Sequence, residues 1–564
     1  MSRRTAVRNA RPTRTASGRS VVRYRPNPLT EKQRVARAIA LADDHKITTI
    51  LQASTSTRGR PRAVSLQLVA RLLFLHAMSN PDRMTLGSVE NTVLGLTPES
   101  RARLGVPEAW VNDPDERNRL YRRLWSAFTA LSTATRDGVH LDHDHNLRVN
   151  LDTGEVDPCP PACSFLDLSA DELAVTIVQA ALPRAFRRTH AIAVDGTDFE
   201  SYAVPYHFGH STPEGHVCAD PDARWGKRTP TDRRPSEHYV GYELHLATYV
   251  AAVGDDEGPR VCAGMALRPG VQDRAGAAVA LTRAIQKFGP IDDGLFDRGY
   301  TMASAERFAR PLRHLGVAIT MDLHTNQRGT SPGPIPGTLW LEGHLYSEAL
   351  PLPLRKLTPP KVGDTAATKA HLRDVFDARE PYRYIPHSRH DDALASQRFK
   401  GPALSGRLRC PNSPASMRLG AHLPTTSCKP GIECGCGTTV TVPDANRERD
   451  RQPLPWQSTA WSLSYNRRTY AETLNARIRF TDANLNRGFI QILDRHSTEL
   501  LLAIYLAGYN AVELFRWSTS HDQPEPWAEQ LGEPPDTRPM GRATRSARRH
   551  RRGPPQRHQT PGDN

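Results

Sequence analysis

The chain has 564 residues, 38% of them hydrophobic, and its 75 Lys and Arg against 60 Asp and Glu leave a net charge of +15 and a pI near 9.6. No run of roughly 18 apolar residues occurs, so no membrane span is expected. Eight Cys in so long a chain do not make a disulfide scaffold, and a reducing compartment, the cytoplasm, is the expectation. The length suits about three or four domains, and the basic excess favours a polyanionic partner, most commonly nucleic acid.

Residues 1–30 read as a disordered basic arm, Arg-rich but without the apolar segment of a secretory signal. A helical N-terminal domain follows over 31–150, carried by apolar patterns at Arg37–Ala42 and Leu66–Ala77 and punctuated by turns such as Ser79-Asn80-Pro81-Asp82. The cations of Arg58-Gly59-Arg60-Pro61-Arg62 precede its second helix, which suits DNA contact; a helical dimerisation unit fits nearly as well. His140-Leu141-Asp142-His143-Asp144-His145 has metal-binding residue types but no second ligand group at a defined spacing, so it reads as a polar loop.

After a helix over Ala170–Arg188 the pattern changes to strands. Thr189–Asp195, Tyr239–Val250 and Val261–Leu267 are three, followed by a helix over Arg274–Lys287. A short strand ending in Asp297, a helix over Ala303–Leu315 and a strand over Val317–Met321 complete the unit, 185–330. Strand-strand-strand-helix-strand-helix-strand is the order of a ribonuclease-H-like mixed sheet, an α/β fold. Pro and Gly then dominate 331–445, an insertion with weak periodicity, before the second part of the catalytic domain over 446–520. An apolar helix over Glu499–Phe515 closes the fold, and 521–564 is a Pro-rich, basic, disordered tail.

Asp195 and Asp297 each end an apolar run, so neighbouring strands would bring both carboxylates to one sheet edge. Ser464 to Phe480 contains no Gly or Pro and reads as one helix, on which Tyr465, Arg468, Glu472 and Arg479 fall within an arc of about 60°. Glu472 would supply a third carboxylate. Three hard oxygen ligands from separate elements suit Mg²⁺ or Mn²⁺, as in two-metal phosphoryl transfer. Asp198, Asp292 and Asp293 rank below their neighbours because none ends the apolar run.

Ile192-Ala193-Val194-Asp195-Gly196-Thr197, Gly241-Tyr242-Glu243-Leu244-His245-Leu246 and Phe296-Asp297-Arg298-Gly299-Tyr300 resemble successive motifs of bacterial insertion-sequence transposases of the DDE class. Tyr465-x2-Arg468-x3-Glu472-x6-Arg479 resembles the Y-R-E-K signature of one large branch, with Arg479 in place of the usual Lys. The resemblance covers roughly Thr189 to Phe515. It implies an Mg²⁺-dependent enzyme that cuts the ends of a mobile element and joins them to target DNA, near the nucleoid, as a homodimer on double-stranded DNA. Asp195, Asp297 and Glu472 would be catalytic and hold the metals; Tyr465, Arg468, Arg479 and Arg298 would hold phosphates. The 175 residues between Asp297 and Glu472 require the insertion to fold outside the sheet. An inactive or domesticated DNA-binding derivative, or a metal-dependent nuclease without joining activity, are the alternatives.

Cys410, Cys428, Cys434 and Cys436 fall within the insertion and would suit a structural Zn²⁺, although Cys434-Gly435-Cys436 is C-x-C rather than C-x2-C. Cys159 and Cys163 lie in a Pro-rich loop, and Cys218 and Cys262 are isolated.

Overall fold

A computed structural model describes residues 27–55, 62–79, 81–136, 168–207, 210–228, 237–255, 257–361 and 363–534. The basic arm up to residue 26, Arg58 to Pro61, His140–His145, Cys159, Cys163 and the tail from residue 535 lie outside them, whereas 521–534, read as the start of a disordered tail, is ordered and carries a short helix, Pro526–Leu531.

The centre is a mixed sheet of β1 (Ala191–Glu200), β2 (Arg224–Arg228), β3 (Glu237–Tyr249), β4 (Cys262–Pro269), β5 (Asp293–Phe296) and β6 (Ala318–Met321). Its order is β2-β3-β1-β5-β6, with β4 also pairing β3. β3 runs antiparallel to its neighbours β1, β2 and β4, whereas β1, β5 and β6 are mutually parallel. β2 and β4 share β3 by dividing its length, β2 facing Glu237–Gly241 and β4 facing Tyr242–Thr248.

Apolar residues on both faces of the sheet follow the strand period of two. Ile192 and Val194 of β1 join the main core, whereas Ala191, Ala193 and Leu295 pack with Tyr470 and Ala471 in a second cluster. The odd-numbered face of β1 therefore looks toward the late helices, and Asp195 is the next residue on it.

The N-terminal helices begin with α1 (Glu31–Ala42), α2 (His45–Ala53), α3 (Leu66–Ala77), α4 (Leu86–Leu94), α5 (Pro98–Leu104) and α6 (Pro114–Ala134). Their buried residues belong to the same core as the sheet. α7 (Ala170–Ala180) and α8 (Arg274–Gln286) cover the main face, and α9 (Ala309–His314) precedes β6. The expected helices were longer; Pro183 follows α7 closely, and Pro311 lies in the first turn of α9.

The segment 331–445, read as an insertion, is more ordered than its weak periodicity implied. It holds β7 (Thr330–Pro332), β8 (Thr338–Leu341) and β9 (His344–Ser347) in one antiparallel sheet. After α10 (Ala366–Asp377), β10 (Ile385–Pro386), β11 (Ser396–Lys400) and β12 (Thr439–Pro443) form another. A bridge between Tyr346 and Arg383 joins the two. Just beyond β12, Glu448 receives Arg310 at 2.6 Å and Arg313 at 3.1 Å, and Asp450 receives Gln327 at 2.8 Å.

The predicted helix over Ser464–Phe480 is four pieces. These are α11 (Thr459–Tyr465), a 3-10 turn (Asn466–Arg468), α12 (Thr469–Ala476) and a π turn (Arg477–Thr481). No breaker residue is needed, because tertiary ion pairs deform it. At the tight turn Arg467 reaches down to Asp293 and to Ala251 O, while at the wide turn Arg477 pairs with Glu513. Such departures from i→i+4 bonding re-aim side chains, so the uniform wheel does not hold beyond Ala476.

α13 (Arg495–His521) is followed by α14 (Pro526–Leu531). α13 is apolar and long enough to cross a membrane, but its apolar window is fully buried inside the protein. It also finishes the outer edge of β4: Asn510 exchanges two 2.8 Å hydrogen bonds with the Cys262 backbone, and Glu499 accepts from Leu267 N–H. Covering an edge in this way removes a site for stray strand pairing.

Candidate active site

The parallel pairing of β1 with β5 stops at Val194–Phe296, one residue before Asp195 and Asp297. The antiparallel pairing of β1 with β3 continues to Glu200. Asp195 is thus inside a strand rather than at its end, a correction to the sequence reading. The β5 side of β1 is unpaired from Asp195 onward, and the late helices fill that side.

Asp297 begins the turn Arg298–Thr301 and accepts from Gly299 N–H at 2.7 Å. Asp195 accepts from Asn475 Nδ2 at 2.8 Å and from Arg468 Nη1 at 3.4 Å. Arg468 also pairs with Glu472 one turn along. One guanidinium therefore links Asp195 to Glu472, with Asp195 and the arginine 273 positions apart in the chain. The Asp195 carboxyl is pushed up to about 6, first by burial; Arg468 and Asn475 oppose the rise, and Asp297 and Glu472 add to it. The mutual influence of three carboxylates marks a negative cluster at one end of the sheet.

Their oxygens are not gathered around a single point. Among the described residues, the four insertion cysteines are the one group of three or more potential ligands brought close together. Arg468 lies against both Asp195 and Glu472, the latter half-exposed and one turn along the same segment.

Tyr465 stacks on Trp461 with centroids 4.7 Å apart and planes 13° off parallel, and the Arg468 guanidinium lies 5.7 Å from its ring centre. Trp461 is itself pinned by donating to Met321 O at 3.1 Å, at the end of β6. Arg298 donates to Asp322 at 2.6 Å and keeps over half of its side chain exposed. Arg479 does not share the exposed stripe expected of it. It grips Asp198 with contacts of 2.9 and 3.1 Å, and its side chain is 13% exposed. Arg228 holds the same carboxylate. Burial alone would raise Asp198, but the two arginines hold it at about 2.

The remaining motif residues support the site from behind. A Cβ at Gly196 would meet Glu243 Oε1 at 2.8 Å, so a side chain there would displace the Glu243 carboxylate. Glu243 receives Arg274 Nε at 2.8 Å. His245 Nδ1 lies 2.8 Å from the Tyr300 hydroxyl, fastening β3 to the turn after Asp297, and burial pushes this histidine down to about 3. Asp292 and Asp293 lie at the opposite end of β5, with His190 and Arg467.

Two residues escaped the sequence reading. Asp322 directly follows β6, obeying the same apolar-run-then-Asp pattern as Asp297, and it accepts from Trp456 Nε1 at 2.7 Å. Asn475 stands three residues beyond Glu472, and its buried Oδ1 has no hydrogen-bond partner. The same side chain donates through Nδ2 to Asp195 at 2.8 Å. Comparison with family models, curated proteins and solved structures finds no match to this chain.

Proposed function

We propose that the chain is a DDE-class DNA transposase, using a divalent metal to cut and join DNA at the ends of a mobile element. The strand order β4-β3-β1-β5-β6, antiparallel in its first half and parallel in its second, supports a ribonuclease-H-like catalytic domain. The observation that carries the functional reading is the Arg468 bridge from Asp195 to Glu472, at the sheet end where Asp297 also lies.

In this reading Asp195, Asp297 and Glu472 hold Mg²⁺ or Mn²⁺, and Asn475 orients Asp195. The bound metal would activate the attacking oxygen and stabilise the leaving one. Arg468 offsets carboxylate charge in the free protein and turns to a DNA phosphate when the substrate is bound. The exposed Arg298 is a second phosphate contact, and the Tyr465 ring, 5.7 Å from the Arg468 guanidinium, helps to hold it in place. On the N-terminal helices, Arg62, Arg119, Arg122 and Arg123 line one hollow. The exposed Tyr121 and Trp125 stack 6.4 Å apart on the same helix, α6. Such a cationic surface with aromatic faces is suited to a DNA backbone.

A joining assay tests the proposal. Duplexes copied from the DNA flanking the coding region, pre-cut to expose a 3′-hydroxyl, are incubated with protein, Mg²⁺ and a supercoiled target. Covalent joining to the target, abolished by chelation, is expected. Mg²⁺-dependent hydrolysis of intact ends without joining of pre-cut ones would instead make the protein a nuclease.

A further inference from the structure

We propose that Cys410, Cys428, Cys434 and Cys436 bind one structural Zn²⁺ as a tetrathiolate, and that this ion holds the irregular 401–438 segment against the two small sheets of the insertion. The proposal stands independently of the carboxylate site.

All four sulfurs lie within 4.8 Å of one another. Cys410 and Cys434 are 3.6 Å apart and Cys428 and Cys436 are 3.9 Å apart, far beyond a disulfide bond of about 2.05 Å. A tetrahedral ion with Zn–S bonds of about 2.3 Å requires sulfurs about 3.8 Å apart. The observed pairs lie on either side of that value.

Apolar packing does not account for the cluster. Buried thiols behave as small hydrophobic groups, but Cys428 and Cys434 are only half-buried. The surrounding core is small, with nine buried residues of which two are Cys410 and Cys436 themselves. Between β11 and β12 the chain has only one-turn helical pieces, at Pro414–Met417 and Gly435–Gly437. So long an irregular stretch needs a cross-link to stay in one conformation.

The surroundings also prepare the thiolates. Ser347 Oγ lies 2.9 Å from Cys436 Sγ, tying the cluster to the end of β9. Asn412 Nδ2 lies 3.5 Å from Cys434 Sγ and donates to Lys429 O and Ile432 O, while its Oδ1 accepts from Gly431 N–H. One side chain thus joins the turn after Cys410 to the loop between Cys428 and Cys434. Polar partners of this kind orient metal-bound thiolates. A soft all-sulfur set selects zinc or iron over Mg²⁺, and four protein ligands leave no open position, as in structural zinc sites.

The full-length chain, purified without chelator or metal-affinity resin, is analysed for bound metals. One zinc per chain is expected. It should fall to background in Cys428→Ser/Cys434→Ser and persist in Cys159→Ser/Cys163→Ser. Should the first variant fail to fold, the wild type suffices. Its four insertion thiols should resist alkylation until zinc is removed, and proteolysis within 401–438 should then begin. Iron in place of zinc, alkylation equal before and after metal removal, or full zinc retention in Cys428→Ser/Cys434→Ser would each overturn the proposal.

Discussion

Asp297→Asn is expected to abolish DNA cleavage, by about a thousandfold or more, while leaving binding to the element ends intact. The loss corresponds to several kcal/mol of metal-derived transition-state stabilisation. Asn keeps the shape of the side chain, and its amide oxygen can still accept the 2.7 Å hydrogen bond from Gly299 N–H that starts the following turn. Only the charge is lost, so folding should survive and attraction for a divalent cation should not. Gel-shift and cleavage measurements on the same duplex separate the two effects. Cleavage at wild-type rate in Mg²⁺ would mean that another carboxylate, with Asp322 the first candidate, holds this position.

Arg468 and Arg479, which the Y-R-E-K pattern treats alike, are expected to behave differently. Arg468→Ala should slow cleavage about a hundredfold, the scale of losing one transition-state donor, and flatten the salt dependence of binding by about one unit of slope. Its effect on stability should be the smaller of the two, because one of its two partners, Glu472, is half-exposed. Arg479→Ala should cost about 3 kcal/mol of stability, since it breaks a buried ion pair and leaves Asp198 with Arg228 alone. Denaturant titrations and salt-dependent binding of both variants provide the comparison. Equal stabilities with equal changes in salt slope would refute the division of labour.

The Asp198 pairing also fixes an acid limb. Its carboxyl is held at about 2, below the ordinary value of 3.8, so its contribution is complete above pH about 4 and is lost as pH falls through 2. Asp198→Asn should remove that part of the acid dependence.

Five of the six strands of the central sheet and its helices were legible because apolar runs of strand length alternate with turn residues, and because α13 is apolar over most of its length; β2, Arg224-Trp225-Gly226-Lys227-Arg228, was not, since it is a short polar edge strand without such a run. The exact role of Asp195 was not. The apolar run stops there, but the strand continues to Glu200 because β3 still supplies a partner, and an antiparallel neighbour 40 to 50 residues on leaves no mark within β1. The face of the late helix was legible only for Tyr465, Arg468 and Glu472. The π turn that sends Arg479 to Asp198 depends on contacts with β1 and α13, which no local pattern encodes. Asp322 could have been found by applying the strand-then-Asp rule once more. The four cysteines were legible as a possible zinc set despite the C-x-C spacing, and the structure brings them together by convergence of separate turns rather than by the usual paired knuckles.

The most direct test of the central claim is to locate the metal. Crystals of the protein with a pre-cut end duplex and Mn²⁺ should give anomalous peaks at about 2.2 Å from oxygens of Asp195, Asp297 and Glu472, with Arg468 turned from Glu472 to a phosphate. Manganese bound without Glu472, or no ordered manganese between Asp195 and Asp297, would contradict the three-carboxylate site and the transposase reading built on it.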